Sequence, residues 1–138
     1  MISRLSSLVF TVTIFLIFFS VNISYADNIK FTGKIETTTG QEYKGKITAF
    51  SNSGKTESLK VVYQGNLTFI QIDQIKTIEI LDSEKKELTI EFKTGKKYIV
   101  NSIERMSPLF NLYIDLEIGK TYIDIKKIKK ITFHEILK

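Results

Sequence analysis

IQIDQIKTI at residues 70–78 returns as IDIKKIKKI at residues 123–131, with isoleucine in the same four places: Ile70, Ile72, Ile75 and Ile78, then Ile123, Ile125, Ile128 and Ile131. Self-similarity at a fixed offset, here 53 residues, means that one supersecondary unit has been used twice. The match continues upstream, where Leu59, Val61 and Tyr63 answer to Leu112, Ile114 and Leu116, and Ile47 and Phe50 to Val100 and Ile103. Thr39-Gly40-x-x-Tyr43 matches Thr94-Gly95-x-x-Tyr98 at an offset of 55, so a length change of two residues is expected in one strand or bulge. Apolar positions and turn glycines correspond between the copies while charged positions do not. Packing is shared; surface chemistry is not.

Each unit reads as β-structure. Ile29, Phe31, Gly33, Ile35 and Thr37 alternate with polar neighbours, as do Leu59, Val61 and Tyr63, then Leu88, Ile90 and Phe92, then Leu112, Ile114, Leu116 and Ile118. Period-2 alternation of β-branched and aromatic residues fits a half-buried strand. Turn signals at Thr39-Gly40, Asn52-Ser53-Gly54, Gln64-Gly65-Asn66, Thr94-Gly95 and Ile118-Gly119 separate about ten short strands. An isoleucine every three residues from Ile72 to Ile78 suits a brief 3₁₀ turn between two strands, at Asp73-Gln74 and again at Lys126-Lys127.

Residues 1–26 read as a secretory signal peptide: Arg4 is the positive n-region, Leu8 to Val21 the apolar core, and Ser24-Tyr25-Ala26 the cleavage site. An uncleaved membrane anchor is the alternative, but Asn22 and Ser24 end the apolar run short of the ~20 residues a spanning helix needs. The expected location is therefore exported, periplasmic or secreted, and the expected division is 1–26, 27–82 for the first repeat and 83–138 for the second. No cysteine is present, which excludes disulfides, thiol catalysis and thiolate metal sites. The net charge of +5, or +4 without Arg4, is far from the dense basic patch of a nucleic-acid binder.

Catalytic motifs fail on inspection. Ser53-Gly54-Lys55-Thr56 and Gly119-Lys120-Thr121 resemble the end of a phosphate loop, but Ala49 and Ile114 stand where its first glycine belongs. His134 is the only histidine, and Asp115 with Glu117 is an acid pair on one strand face; neither pattern carries a partner for catalysis. No enzyme, cofactor or metal is expected. The unusual loop is Arg105-Met106-Ser107-Pro108-Leu109-Phe110, which holds the only proline in the chain and is apolar where the sister segment Ser51 to Ser58 is polar. Arg105, Met106, Pro108, Leu109 and Phe110 are therefore candidate contacts for a protein partner, or for packing inside the chain. Lys126, Lys127, Lys129 and Lys130, with Lys96, Lys97 and Lys120, are candidates for an anionic lipid or envelope polymer, set against the ordinary use of lysine to guard strand edges. Tyr43, Tyr63, Tyr98 and Tyr113 fit either a peptide groove or a barrel wall.

Residues 29–81 and 86–136 each resemble a five-stranded small barrel of the SH3-like and Sm-like kind. Gly40-x-x-x-x-Gly45-x-Ile47 is similar to the bent second strand of Sm-like proteins, where glycine permits curvature. Neither copy has the Arg-Gly pair of the Sm-like RNA-binding loop, so the resemblance implies a fold and not RNA binding. A unit of ~55 residues is marginal alone, and the link Asp82-Ser83-Glu84-Lys85-Lys86 is short. The expectation is all-β: two tandem barrels packed together, face to face or by strand exchange. Functionally it is a non-enzymatic binding or assembly module of the bacterial envelope, using β edges and the Pro108 loop on a protein partner or a second copy.

Overall fold

A computed structural model describes residues 28–82, 84, 86–104 and 106–137; the signal-peptide reading and Arg105 lie outside the described residues. The first repeat contributes β1 (Asn28–Thr37), β2 (Glu42–Ser51), β3 (Ser58–Tyr63), β4 (Asn66–Gln71), a 3₁₀ turn (Ile72–Gln74) and β5 (Ile75–Asp82). The second contributes β6 (Glu87–Phe92), β7 (Lys97–Asn101), β8 (Leu109–Leu116), β9 (Gly119–Ile123), a 3₁₀ turn (Ile125–Lys127) and β10 (Ile128–Leu137). The two turns form where the isoleucine spacing puts them, and their flanking residues have nearly the same backbone angles: Gln71 at φ −70°, ψ 125° and Asp124 at φ −66°, ψ 126°.

All ten strands are antiparallel neighbours in one open sheet, in the order β4-β3-β7-β6-β5-β10-β1-β2-β8-β9. Neither repeat keeps to itself. The hairpin β1–β2 sits between β10 and β8 of the second repeat, and the hairpin β6–β7 sits between β5 and β3 of the first. The repeats have therefore exchanged their leading hairpins. One half of the sheet, β4-β3-β7-β6-β5, is half A here; the other, β10-β1-β2-β8-β9, is half B. They join where β5 meets β10, with Ile78 opposite its own repeat equivalent Ile131, and Glu79–Lys130 and Thr77–Thr132 on either side. That register is a local two-fold.

The hairpins also correct the sequence alignment. Gly45 pairs with Gly33 as Val100 pairs with Leu88, and Thr38 N–H donates to the Lys127 carbonyl as Lys93 N–H donates to that of Gln74. The offset is thus 55 through the whole of β2, so Val100 answers to Gly45 rather than Ile47. The two-residue change falls in the connection after the second strand, because the strand pairing of the two hairpins corresponds at the same offset from Thr32–Lys46 and Glu87–Asn101 to Glu36–Glu42 and Glu91–Lys97.

A single sheet with no helix to cover it buries one face only by curling over itself. The inward residues of both halves form one core, including Phe31, Ile35, Ile47 and Ile114 from half B and Leu59, Val61, Ile75 and Ile90 from half A. Half B reaches close packing differently from half A. Where half A has Leu88 and Val100, half B has two glycines, and the rings of Phe31 and Phe133 pack there, tilted by 35° with centroids 4.4 Å apart. A Cβ on Gly33 would collide with the Thr132 carbonyl oxygen, and one on Gly45 would lie 2.9 Å from that of Asp115. Glycine here is a requirement of close backbone approach.

Candidate functional site

The ends of the open sheet are β4 and β9, and no strand of the described residues pairs with the far side of either. β3 and β4 are joined by Gln64-Gly65, both at positive φ (+50° and +79°), the geometry of a two-residue hairpin turn of the primed kind. Tyr63 is opposite Asn66, and the register runs on through Val62–Leu67, Val61–Thr68, Lys60–Phe69 and Leu59–Ile70. Leu59, Val61 and Ile70 point into the core, so Lys60, Val62, Leu67 and Phe69 point outward. Leu67 and Phe69 remain 58% and 56% exposed, and Lys60 Nζ lies 5.8 Å from the Phe69 ring centre. Val62 continues the row to Asn101 on β7, where Ile99, on the same outward face, is 62% exposed. Half A thus presents an unpaired strand edge that carries exposed Leu67 and Phe69, with Ile99 two strands in on the same face, a rare combination because bare apolar edges invite pairing with other chains.

The strand behind this edge, β3, is held on its other side by a side chain from the β2–β3 loop. Asn52 donates from Nδ2 to the Lys60 carbonyl and accepts the Lys60 N–H on Oδ1, both at 2.8 Å. It stands in for a strand at the place where β7, unlike β2, has ended.

The residues selected from sequence are scattered by the fold. Pro108 and Leu109 are buried, and the Phe110 ring stacks on Phe50 of β2 at 5.6 Å. Of the described residues in that set, Met106 is the one left substantially exposed, at 46%. A left-handed residue, Asn111 (φ +50°), lets both Leu109 and Leu112 face inward despite their three-residue spacing. This loop packs against the exchanged hairpin.

Lys126, Lys127 and Lys129 are exposed, but Lys130 stands in register between Glu36 on β1 and Glu79 on β5. Lys96 and Lys97 belong to the turn held against the other 3₁₀ segment through Lys93 and Gln74, so the structure does not gather them with Lys126 and Lys127. Tyr63, Tyr98 and Phe92 meet edge-on at one hairpin end, while Tyr113 faces outward against Tyr122; no single groove collects the tyrosines. His134 is exposed on β10.

The chain matches no family model, no curated protein and no solved structure. What it does must be argued from its own surface. Among the described residues, no group of three or more His, Asp or Glu side chains is placed to hold a metal, and no helix is long and apolar enough to cross a membrane. A cleft of about 530 Å³ opens where the chain enters β1, lined by Ile29, Lys30, Glu57, Ile72, Asp73 and Ile136 among others. None of the candidate residues of the Pro108 loop, the lysines at 126–130 or the tyrosines lines it.

The edge strand itself went unremarked in sequence because Leu67 and Phe69 look like any alternating pair. The available signal was the lack of any charged residue in Asn66–Gln71, where an edge strand ordinarily carries lysine.

Proposed function

We propose that this chain is an exported, non-enzymatic binding or assembly module that docks an extended strand against the β4 edge. The observation that carries the reading is the coincidence of an unpaired edge with exposed Leu67 and Phe69 on it, and exposed Ile99 two strands in on the same outward face. β-strand addition takes its affinity from main-chain hydrogen bonds and its selectivity from alternate side chains, and this edge offers both. Five strands in each half, Gly45 where the second strand closes on its neighbour, and a 3₁₀ turn before the last strand support reading each half as an SH3-like or Sm-like small barrel. The signal-peptide pattern of residues 1–26 supports export, with the envelope or exterior of a bacterium as the setting.

Binding of an anionic surface by Lys126, Lys127, Lys129 and Lys130 is the weaker reading, since Glu36 and Glu79 flank Lys130. Exposed lysines on a turn and the strand it enters, here Lys126, Lys127 and Lys129, are also the ordinary protection of a strand end.

The test is capture from native envelope extract by the chain from residue 27, comparing wild type with Phe69→Lys and with Tyr122→Lys on the opposite edge. The expected result is a bound species lost in Phe69→Lys and kept in Tyr122→Lys. Equal capture by both variants would refute docking at β4. Capture that survives both and disappears on reversing the charge of Lys126, Lys127 and Lys129 would favour the anionic reading.

A further inference from the structure

We propose that the occupant of the β4 edge is the β4 edge of a second copy of this chain, paired antiparallel across a two-fold axis. This rests on the edge-docking reading and adds the identity of the partner.

The backbone supplies the first argument. Residues flanking a two-residue hairpin turn form a hydrogen-bonded pair, and pairs alternate from there. Tyr63–Asn66, Val61–Thr68 and Leu59–Ile70 are then the hydrogen-bonded pairs with β3. Leu67 and Phe69 direct their N–H and C=O groups to the open side. Reversing the strand on itself sets Leu67 opposite Phe69 of the second copy and Phe69 opposite its Leu67, each pair exchanging two hydrogen bonds. Thr68 then meets Thr68 on the axis as a non-hydrogen-bonded pair, with Cα atoms ~4.5 Å apart.

Charge supplies the second. Asn66–Gln71 has no ionisable side chain, so self-pairing opposes no like charges and strips no ion of water. Leu67 and Phe69 form an aromatic–aliphatic pair twice over. The other edge differs at these positions: Lys120 on β9 stands where Leu67 stands on β4, and its ammonium lies over the Tyr113 ring at 5.3 Å. β9 is guarded and β4 is not. Pairing β4 with β9 of the next copy would run head to tail into a ring or a filament of more than two chains, whereas β4 with β4 closes after two chains.

The chain has no cysteine, so one introduced thiol reports on the axis. Thr68→Cys is expected to give a disulfide-linked dimer under mild oxidation, while Thr121→Cys, the same place on β9, forms no disulfide-linked species. Sedimentation of the wild type is expected to show a concentration-dependent doubling of mass, with Phe69→Lys requiring at least a tenfold higher concentration to associate. Crosslinking of Thr68→Cys no faster than Thr121→Cys, an undiminished dimer in Phe69→Lys, or a ladder of larger oligomers would each overturn the proposal. A monomeric wild type whose envelope ligand is lost in Phe69→Lys also overturns self-pairing while leaving edge docking standing; a ligand retained by Phe69→Lys removes the docking reading itself.

Discussion

Halves A and B share a backbone plan and present opposite outer surfaces. Ile99, Asn101, Val62 and Leu67 in half A occupy the positions of Lys44, Lys46, Asp115 and Lys120 in half B. The charged row Lys46–Asp115–Lys120 spans β2, β8 and β9 with alternating sign, which makes that surface soluble and its edge unattractive to other strands. The matching row of half A, Asn101–Val62–Leu67, has no charge at all. Duplication followed by divergence of the outward positions has left one edge suited to water and one suited to a partner. The interior diverged as well, but by compensation: aliphatic side chains in half A, two glycines and a phenylalanine pair in half B.

The largest test of that interior difference is Phe31→Ala, which empties the space that Gly33 leaves to the ring and should cost about 3–5 kcal/mol in denaturant unfolding. Writing half A into half B by Gly33→Leu should cost about 1–3 kcal/mol, because the side chain must start against the Thr132 carbonyl. A neutral outcome there would mean the two interiors are interchangeable. Asn52→Ala should cost about 1 kcal/mol and speed amide exchange at Lys60, leaving Tyr113 in half B unaffected since its partner is the β2 backbone. Smallest in stability, within about 0.5 kcal/mol, is Lys120→Leu. Its effect should appear instead in light scattering as new self-association, since it gives β9 the apolar edge of β4.

Much of the architecture was legible in sequence where the determinants are local. Strand positions followed from alternation at Leu59, Val61 and Tyr63 or Leu112, Ile114 and Leu116, and the 3₁₀ turns from the isoleucine triplet spacing. Strand exchange was not decidable, because β3 and β8 offer β2 equivalent apolar faces, Leu59 and Val61 against Leu112 and Ile114. The crowded apolar residues of the Pro108 loop fit a partner contact and packing inside the chain equally; the bulge at Asn111 that turns Leu109 inward leaves no pattern in sequence. The lysines at 126–130 read as one cluster because the glutamates beside Lys130 come from distant strands.

Exchange of the leading hairpins underlies both the two edges and the two surfaces, and backbone nuclear Overhauser contacts in the isotope-labelled chain from residue 27 test it most directly. Contacts of Ile47 with Ile114 and of Asn101 with Val62 are expected, together with Ile78 to Ile131 across the centre. Contacts of Lys46 with Val62 and of Asn101 with Asp115, each within its own repeat, would contradict it.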